Sequence, residues 1–239
     1  MDISTNNTTQ NNQSIANKPM YSFLKRGLDL VLALITLIIL SPLFIIIVIA
    51  LKLTGEGEVF YWQKRIGLKN EYFHICKFAT MLKNSPNMGT GSITLRNDPR
   101  VTTVGKFLRI TKINELPQIL NVIKGDMSIV GPRPLVDKTF NAYPDAIRPF
   151  VYDSKPGITG VGSIIFRDEE KLISDSDMAP HDFYAKHVAP YKGELEMWYQ
   201  KNKSIFTDIK LIFLTAWVIL FSKSDLPHKL LKNLPRKTI

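Results

Sequence analysis

From Leu30 to Leu51 the chain runs 22 residues without a charge, and only Thr36, Ser41 and Pro42 interrupt its aliphatic side chains. As a straight helix this stretch would be about 33 Å long, enough to cross a hydrocarbon core of ~30 Å. No small-residue cleavage site follows it and it is too long for a signal peptide, so it reads as a retained membrane segment. Pro42 removes one backbone hydrogen bond near its centre and crowds the Ile38 carbonyl, so a kink is expected there. Ser41 is placed to satisfy a carbonyl that the proline frees. Basic residues flank both ends: Lys25 and Arg26 before, Lys52, Lys64 and Arg65 after. Positive flanks stay in the cytoplasm. A helix-break-helix that enters and leaves by one face satisfies both facts, and an ordinary kinked crossing helix is the competing reading.

Around this segment the composition changes sharply. Residues 1–20 form a polar tail rich in Asn, Thr, Gln and Ser, too poor in apolar groups to offset its ordering entropy. Ile205–Phe221 is apolar with Trp198, Tyr199 and Trp217 close by, and fits either an interfacial helix with aromatic anchors or a core helix. The last residues, 223–239, are basic. Across 239 residues the 31 basic and 21 acidic side chains leave a net charge of +10, which points to a polyanionic partner: nucleic acid, an anionic membrane or a phosphorylated substrate. One cysteine, Cys76, excludes a disulfide framework and a four-cysteine zinc site. His74, His181 and His187 have no metal-ligand spacing.

The middle of the chain carries the chemistry. VFYWQ and YFHICKF, separated by GLKN, read as a β-hairpin within 59–83. Residues 83–94 (KNSPNMGTGSIT) form a loop whose GTG is a weak phosphate-loop signal. Arg96, Arg100, Lys106, Arg109 and Lys112 accumulate against the single acid Asp98, and the last three share one face of a helix. That face reads either as solvated or as turned toward headgroups or a pyrophosphate. In KINELPQILNVIKGDMSIVGPRP, Asn114 is a fitting N-cap, Leu116, Ile119, Leu120 and Ile123 form a stripe, and Gly125 is a fitting C′ residue, so a helix over 115–124 is expected. Its N-terminus would suit phosphate, and Glu115 there reads as first-turn stabilisation or as a metal-holding carboxylate. GPRP then presents Arg133, whose guanidinium can clamp phosphate with two hydrogen bonds. KPGITGVGS and FRDEE follow, the latter gathering Asp168, Glu169 and Glu170.

In order and spacing, KRGLDL with its Ser-Pro break, QKRIG, KFATM, RNDPRVTTVGKFLR, ELPQILNVIKGDMSIVGPRP and KPGITG resemble the small, monotopic bacterial sugar transferases that act on polyprenyl phosphate, over about 25–221. The resemblance implies transfer of a sugar 1-phosphate from a nucleotide diphosphate sugar, usually UDP-linked, to undecaprenyl phosphate. Nucleoside monophosphate is released, as the first membrane step of polysaccharide or glycoconjugate assembly. It implies Mg²⁺ and a covalent phosphosugar intermediate on an aspartate. Carried onto this sequence, Glu115 serves the metal and acid-base work, Asn114 stands at the nucleophile position, and Arg133, Lys77, Arg96 and Asp98 bind substrate.

Asn114 is a departure, because the family places aspartate there and an amide is a poor nucleophile. A transferase using Glu115 or another carboxylate, a binding-only or scaffolding member, and an engineered substitution all remain open. Asp168, Glu169 or Glu170 could supply a carboxylate. Ala79 in KFATM and the GVGSIIFRDEE stretch depart more mildly. The expected architecture is helix-rich α+β: a polar tail (1–20), a re-entrant membrane helix broken at Ser41 and Pro42 (21–53), a cytoplasmic catalytic domain with a β-hairpin and interfacial helices (54–222), and a basic tail (223–239). The expected place is the cytoplasmic face of a bacterial inner membrane, among membrane lipid, with no nucleic-acid partner. A homo-oligomer is left open.

Overall fold

A computed structural model describes residues 19–54, 56–88, 98–222 and 224–236. The polar tail, the GTG loop and Arg96 lie outside the described residues, as does the end of the basic tail. The fold is helix-rich α+β, as expected. The apolar segment forms one helix, α1 (Pro19–Thr54), which continues through Pro42 rather than breaking. A single proline removes one i→i−4 bond, and the Ser41 hydroxyl donates to the stranded Ile38 carbonyl at 2.8 Å. Ser41 and Pro42 therefore modify this helix without dividing it.

The hairpin forms as expected. β1 (Phe60–Ile66) and β2 (Tyr72–Phe78) pair antiparallel with Tyr61 opposite Lys77 and Arg65 opposite Phe73. The basic helix α2 (Thr103–Ile110) is N-capped by the Thr102 hydroxyl, which accepts from the Gly105 amide. It ends before Lys112, so only Lys106 and Arg109 of the basic triplet lie on it.

The expected helix over 115–124 is shorter. Ile113–Glu115 is a 3₁₀ turn and α3 spans Gln118–Lys124, closed by Gly125 at φ 101°. Asn114 does not cap it. The turn is entered through Lys112, a non-glycine residue at φ 61°, which swings Asn114 and Glu115 inward instead.

A pairing that the sequence does not announce follows. β3 (Ser128–Val130) and β4 (Gly157–Thr159) are parallel neighbours, joining GPRP to KPGITG. The backbones approach so closely there that a Cβ on Gly157 would collide with the Gly131 amide.

The core lies between this ribbon, α4 (Ala189–Asn202) and α5 (Ile205–Leu220). Trp198 and Tyr199 are buried there and are not surface anchors. Helix α5 answers both readings of its sequence. Leu211, Leu214 and Val218 pack inward while Phe206, Ile209, Phe213, Ile219 and Leu220 stay exposed.

Helix α1 is tied to this body on both sides of Pro42. Before it, Lys25 donates to Asp208 at 2.6 Å, Arg26 donates to the Val122 and Ile123 carbonyls that end α3, and buried Asp29 accepts from the Ser128 hydroxyl and the Ile129 amide. After it, Ile47 and Leu51 pack with Phe78 and Leu108. Between these contacts Ile38, Ile39, Ile45 and Ile46 are exposed.

Candidate active site

Glu115 is the centre of the site. Its Oε2 accepts from Arg133 Nη1 at 3.1 Å and its Oε1 from Arg133 Nη2, a two-point fork, while Lys77 Nζ reaches Oε1 at 3.1 Å. Three remote segments meet in this cluster: the inward turn after α2, strand β2 and the loop after β3. Burial alone would raise the Glu115 carboxyl, but Arg133 and then Lys77 outweigh it and hold it well below the usual carboxylate range. Burial lowers the Lys77 ammonium to about 8 against the opposing pull of Glu115. Arg65 shares the β1 face of Tyr61 and Gln63; burial, with Arg133 close by, brings its guanidinium down to about 10. Two cations crowded by a third around one carboxylate leave positive charge in excess of what that carboxylate neutralises.

Asn114 is 5% exposed, and its Oδ1 has no hydrogen-bond partner among the described residues. A buried amide oxygen without a donor is costly unless something else fills the position. Magnesium takes one or two protein oxygens and completes its shell with phosphates and water. The open Asn114 oxygen fits one such position, while both oxygens of the adjoining Glu115 carboxylate already accept from Arg133 and Lys77. Among the described residues no group of three or more His, Cys, Asp and Glu could hold a metal unaided.

Two cavities converge here. The first, about 540 Å³, gathers cations against a mixed wall: Arg65, Lys77, Arg100 and Lys112 line it together with Asn114, Thr80, Phe60, Phe78 and Leu135. The second, about 720 Å³, is an apolar groove bounded by Leu37, Leu40 and Phe44 of α1 and by Ile212, Val218 and Ile219 of α5. Lys112, Glu115, Arg133, Glu169, Glu170 and Lys192 line both.

The expected site residues Lys77, Asn114, Glu115 and Arg133 are thus brought together. Asp98 is not: its buried carboxylate pairs with Arg100 at 2.6 Å and does not line either cavity. Sequence reasoning missed Arg65 and Lys192. The hairpin's alternation would have placed Arg65 on the face of Lys77. Lys192 had no such signal, since it lies in a polar helix that reads as surface and yet is 2% exposed.

A model of the bacterial sugar transferases matches residues 20–222. The chain belongs to the bacterial sugar transferase family. This sugar transferase is 33% identical over 224 residues to the exopolysaccharide production protein ExoY of Rhizobium meliloti (strain 1021), covering 88% of this chain and 91% of ExoY. It is 37% identical over 197 residues to the UDP-glucose:undecaprenyl-phosphate glucose-1-phosphate transferase of Escherichia coli K12, covering 81% of this chain and 39% of that protein. With the UDP-N-acetylgalactosamine-undecaprenyl-phosphate N-acetylgalactosaminephosphotransferase of Aeromonas hydrophila the identity is 36% over 210 residues, 87% of this chain and 46% of the relative.

Proposed function

We propose that this sugar transferase moves a sugar 1-phosphate from a UDP-sugar to undecaprenyl phosphate and releases UMP, starting the assembly of a polysaccharide or glycoconjugate. The observation that carries this is the convergence of a cation-lined cavity and an apolar groove on one set of charged side chains. A water-soluble diphosphate and an amphiphilic lipid phosphate differ in everything except the group that reacts. A cation-lined cavity and an apolar groove with a shared charged junction match that pair. The relatives named above as transferases favour catalysis over a binding-only role.

At the junction Arg133 and Lys77 supply positive charge where the transferred phosphoryl group gains negative charge, and they are already fixed in place by Glu115. Arg65 and Lys112 add to that field from the cation-lined cavity. The α1 and α5 side chains of the groove shield the junction from bulk water. Mg²⁺, for which the open Asn114 oxygen offers a protein ligand, would neutralise the diphosphate and ease departure of UMP.

The placement we infer is monotopic, on the cytoplasmic face of the inner membrane. Arg26 and Leu51 would lie about 38 Å apart along a straight helix, more than the hydrocarbon thickness, yet both contact the same body. The exposed isoleucines around Pro42 are then the part that enters lipid.

The test is mass analysis of lipid extracted after incubating the purified chain with UDP-sugars, Mg²⁺ and undecaprenyl phosphate. An undecaprenyl diphosphate sugar is expected. Glu115→Gln should abolish its formation while leaving the protein in the membrane fraction; full activity in that variant would remove Glu115 from the mechanism.

A further inference from the structure

Among the described residues three carboxylates line both cavities: Glu115, Glu169 and Glu170. They are not equally free to react. Both Glu115 oxygens are engaged by Arg133, with Lys77 added to one of them. Glu170 is paired through Oε1 with the Arg109 guanidinium at 2.7 Å and is the more exposed of the two neighbours, its side chain 41% exposed against 27% for Glu169. Glu169 opens the short helix Glu169–Ser174, and its Oε2 is held by the Lys192 ammonium alone. Its Oε1 carries no hydrogen bond among the described residues.

Lys192 is an uncommon partner. It lies on α4, almost wholly buried, with its ammonium 5.7 Å from the Phe166 ring and 5.9 Å from the Tyr184 ring. A buried lysine is retained where its charge is matched, and here Glu169 matches it. Both residues face donor and acceptor spaces together. Asn114, beside Glu115, contributes an amide that cannot attack phosphorus.

The junction also has an electrostatic difficulty. Direct transfer would place the donor diphosphate and the acceptor phosphate there at one time, pressing like charges together. A carboxylate reachable from both cavities removes this conflict by dividing the displacement, so that the nucleotide leaves before the lipid phosphate arrives.

We propose that Glu169 is the nucleophile that carries the sugar phosphate from the cation-lined cavity to the apolar groove, with Lys192 as its counter-charge. The proposal rests on the function proposed above in taking the donor to be a nucleotide diphosphate sugar. A Glu169 carboxylate oxygen attacks the sugar-bearing phosphorus, and the bond from that phosphorus to the bridging oxygen breaks. UMP departs with the electron pair, leaving an acyl phosphate ester of the sugar on Glu169. Lys192, released from the carboxylate oxygen, neutralises the phosphoryl oxygens. An oxygen of undecaprenyl phosphate then attacks the same phosphorus, the acyl oxygen–phosphorus bond breaks, and the Glu169 carboxylate is restored. No proton or electron is left over.

The experiment uses the full chain in detergent with a UDP-sugar that supports lipid-dependent UMP release, but without lipid. Intact-mass analysis should show one added sugar phosphate. Quenching with hydroxylamine, followed by proteolysis, should place a hydroxamate on Glu169. Glu169→Gln should lose the adduct and lower turnover on the order of 10³-fold or more. Asp177→Asn, at an exposed position that lines neither cavity, should keep turnover within about twofold. Mapping on the unaltered chain keeps the test sound if Glu169→Gln folds poorly. An adduct on Glu115 or Glu170, or lipid-dependent UMP release with no adduct at all, overturns the assignment to Glu169 and leaves the transferase reading standing. Absence of UMP release from the unaltered chain with lipid and every donor overturns both.

Discussion

Glu196 sits one helical turn beyond Lys192 on α4, 1% exposed, with the Arg133 backbone close by. Burial pushes its carboxyl up to about 7, against the opposing attraction of Lys192. Between its ordinary value of 4.5 and 7 the folded chain therefore keeps a proton that the unfolded chain has lost. Stability contributed by this group falls as pH rises through that window, and by pH 8 the whole penalty is present. It amounts to on the order of 3 kcal/mol. Glu196→Gln removes the charge and keeps the shape. Its Tm should exceed that of the unaltered chain by about 5 °C or more at pH 8 and converge with it near pH 4.5. An equal shift at both values would mean that the carboxyl is not being held protonated. Glu115 shows the opposite outcome, because two cations accompany it into the interior.

Helix α1 is the element on which membrane placement depends. Its two ends contact one body, so both should face one compartment. Met20 and Leu53 are exposed positions near those ends, and the native Cys76 thiol is buried, which keeps background labelling low. Met20→Cys and Leu53→Cys should both react with a membrane-impermeant thiol reagent in inside-out vesicles and neither in right-side-out cells. Labelling of the two from opposite sides would show a crossing helix. Elements written in local pattern were legible without the structure: the apolar run of α1, the alternation of β1 and β2, and Gly125 closing α3. The start of α3 was not. Asn114 has the chemistry of a cap, but the left-handed turn at Lys112 depends on packing that no local pattern records. The β3–β4 ribbon was also hidden, since each strand has three residues and their pairing joins segments far apart in the chain.

At the scale of the molecule, the net charge of +10 gains meaning from where the cations fall. Lys77, Arg65, Lys112, Arg133 and Lys192 converge from five parts of the chain on the junction of two cavities. The family resemblance named Lys77, Asn114, Glu115 and Arg133 by motif, and the fold brings the four together. It could not show Lys192 and Glu169 beside them, because that neighbourhood is made by α4 packing against the helix Glu169–Ser174, an ion pair across 23 residues of chain. Once the residues are assembled, what distinguishes sugar-phosphate transfer from ordinary sugar transfer is which bond of the donor breaks. The decisive measurement is the nucleotide released by the purified chain, given undecaprenyl phosphate, Mg²⁺ and a panel of UDP-sugars. UMP, formed only when the lipid is present, is the expected product; UDP would mean cleavage at the sugar carbon and would contradict phosphoryl transfer at the Glu115–Arg133 junction.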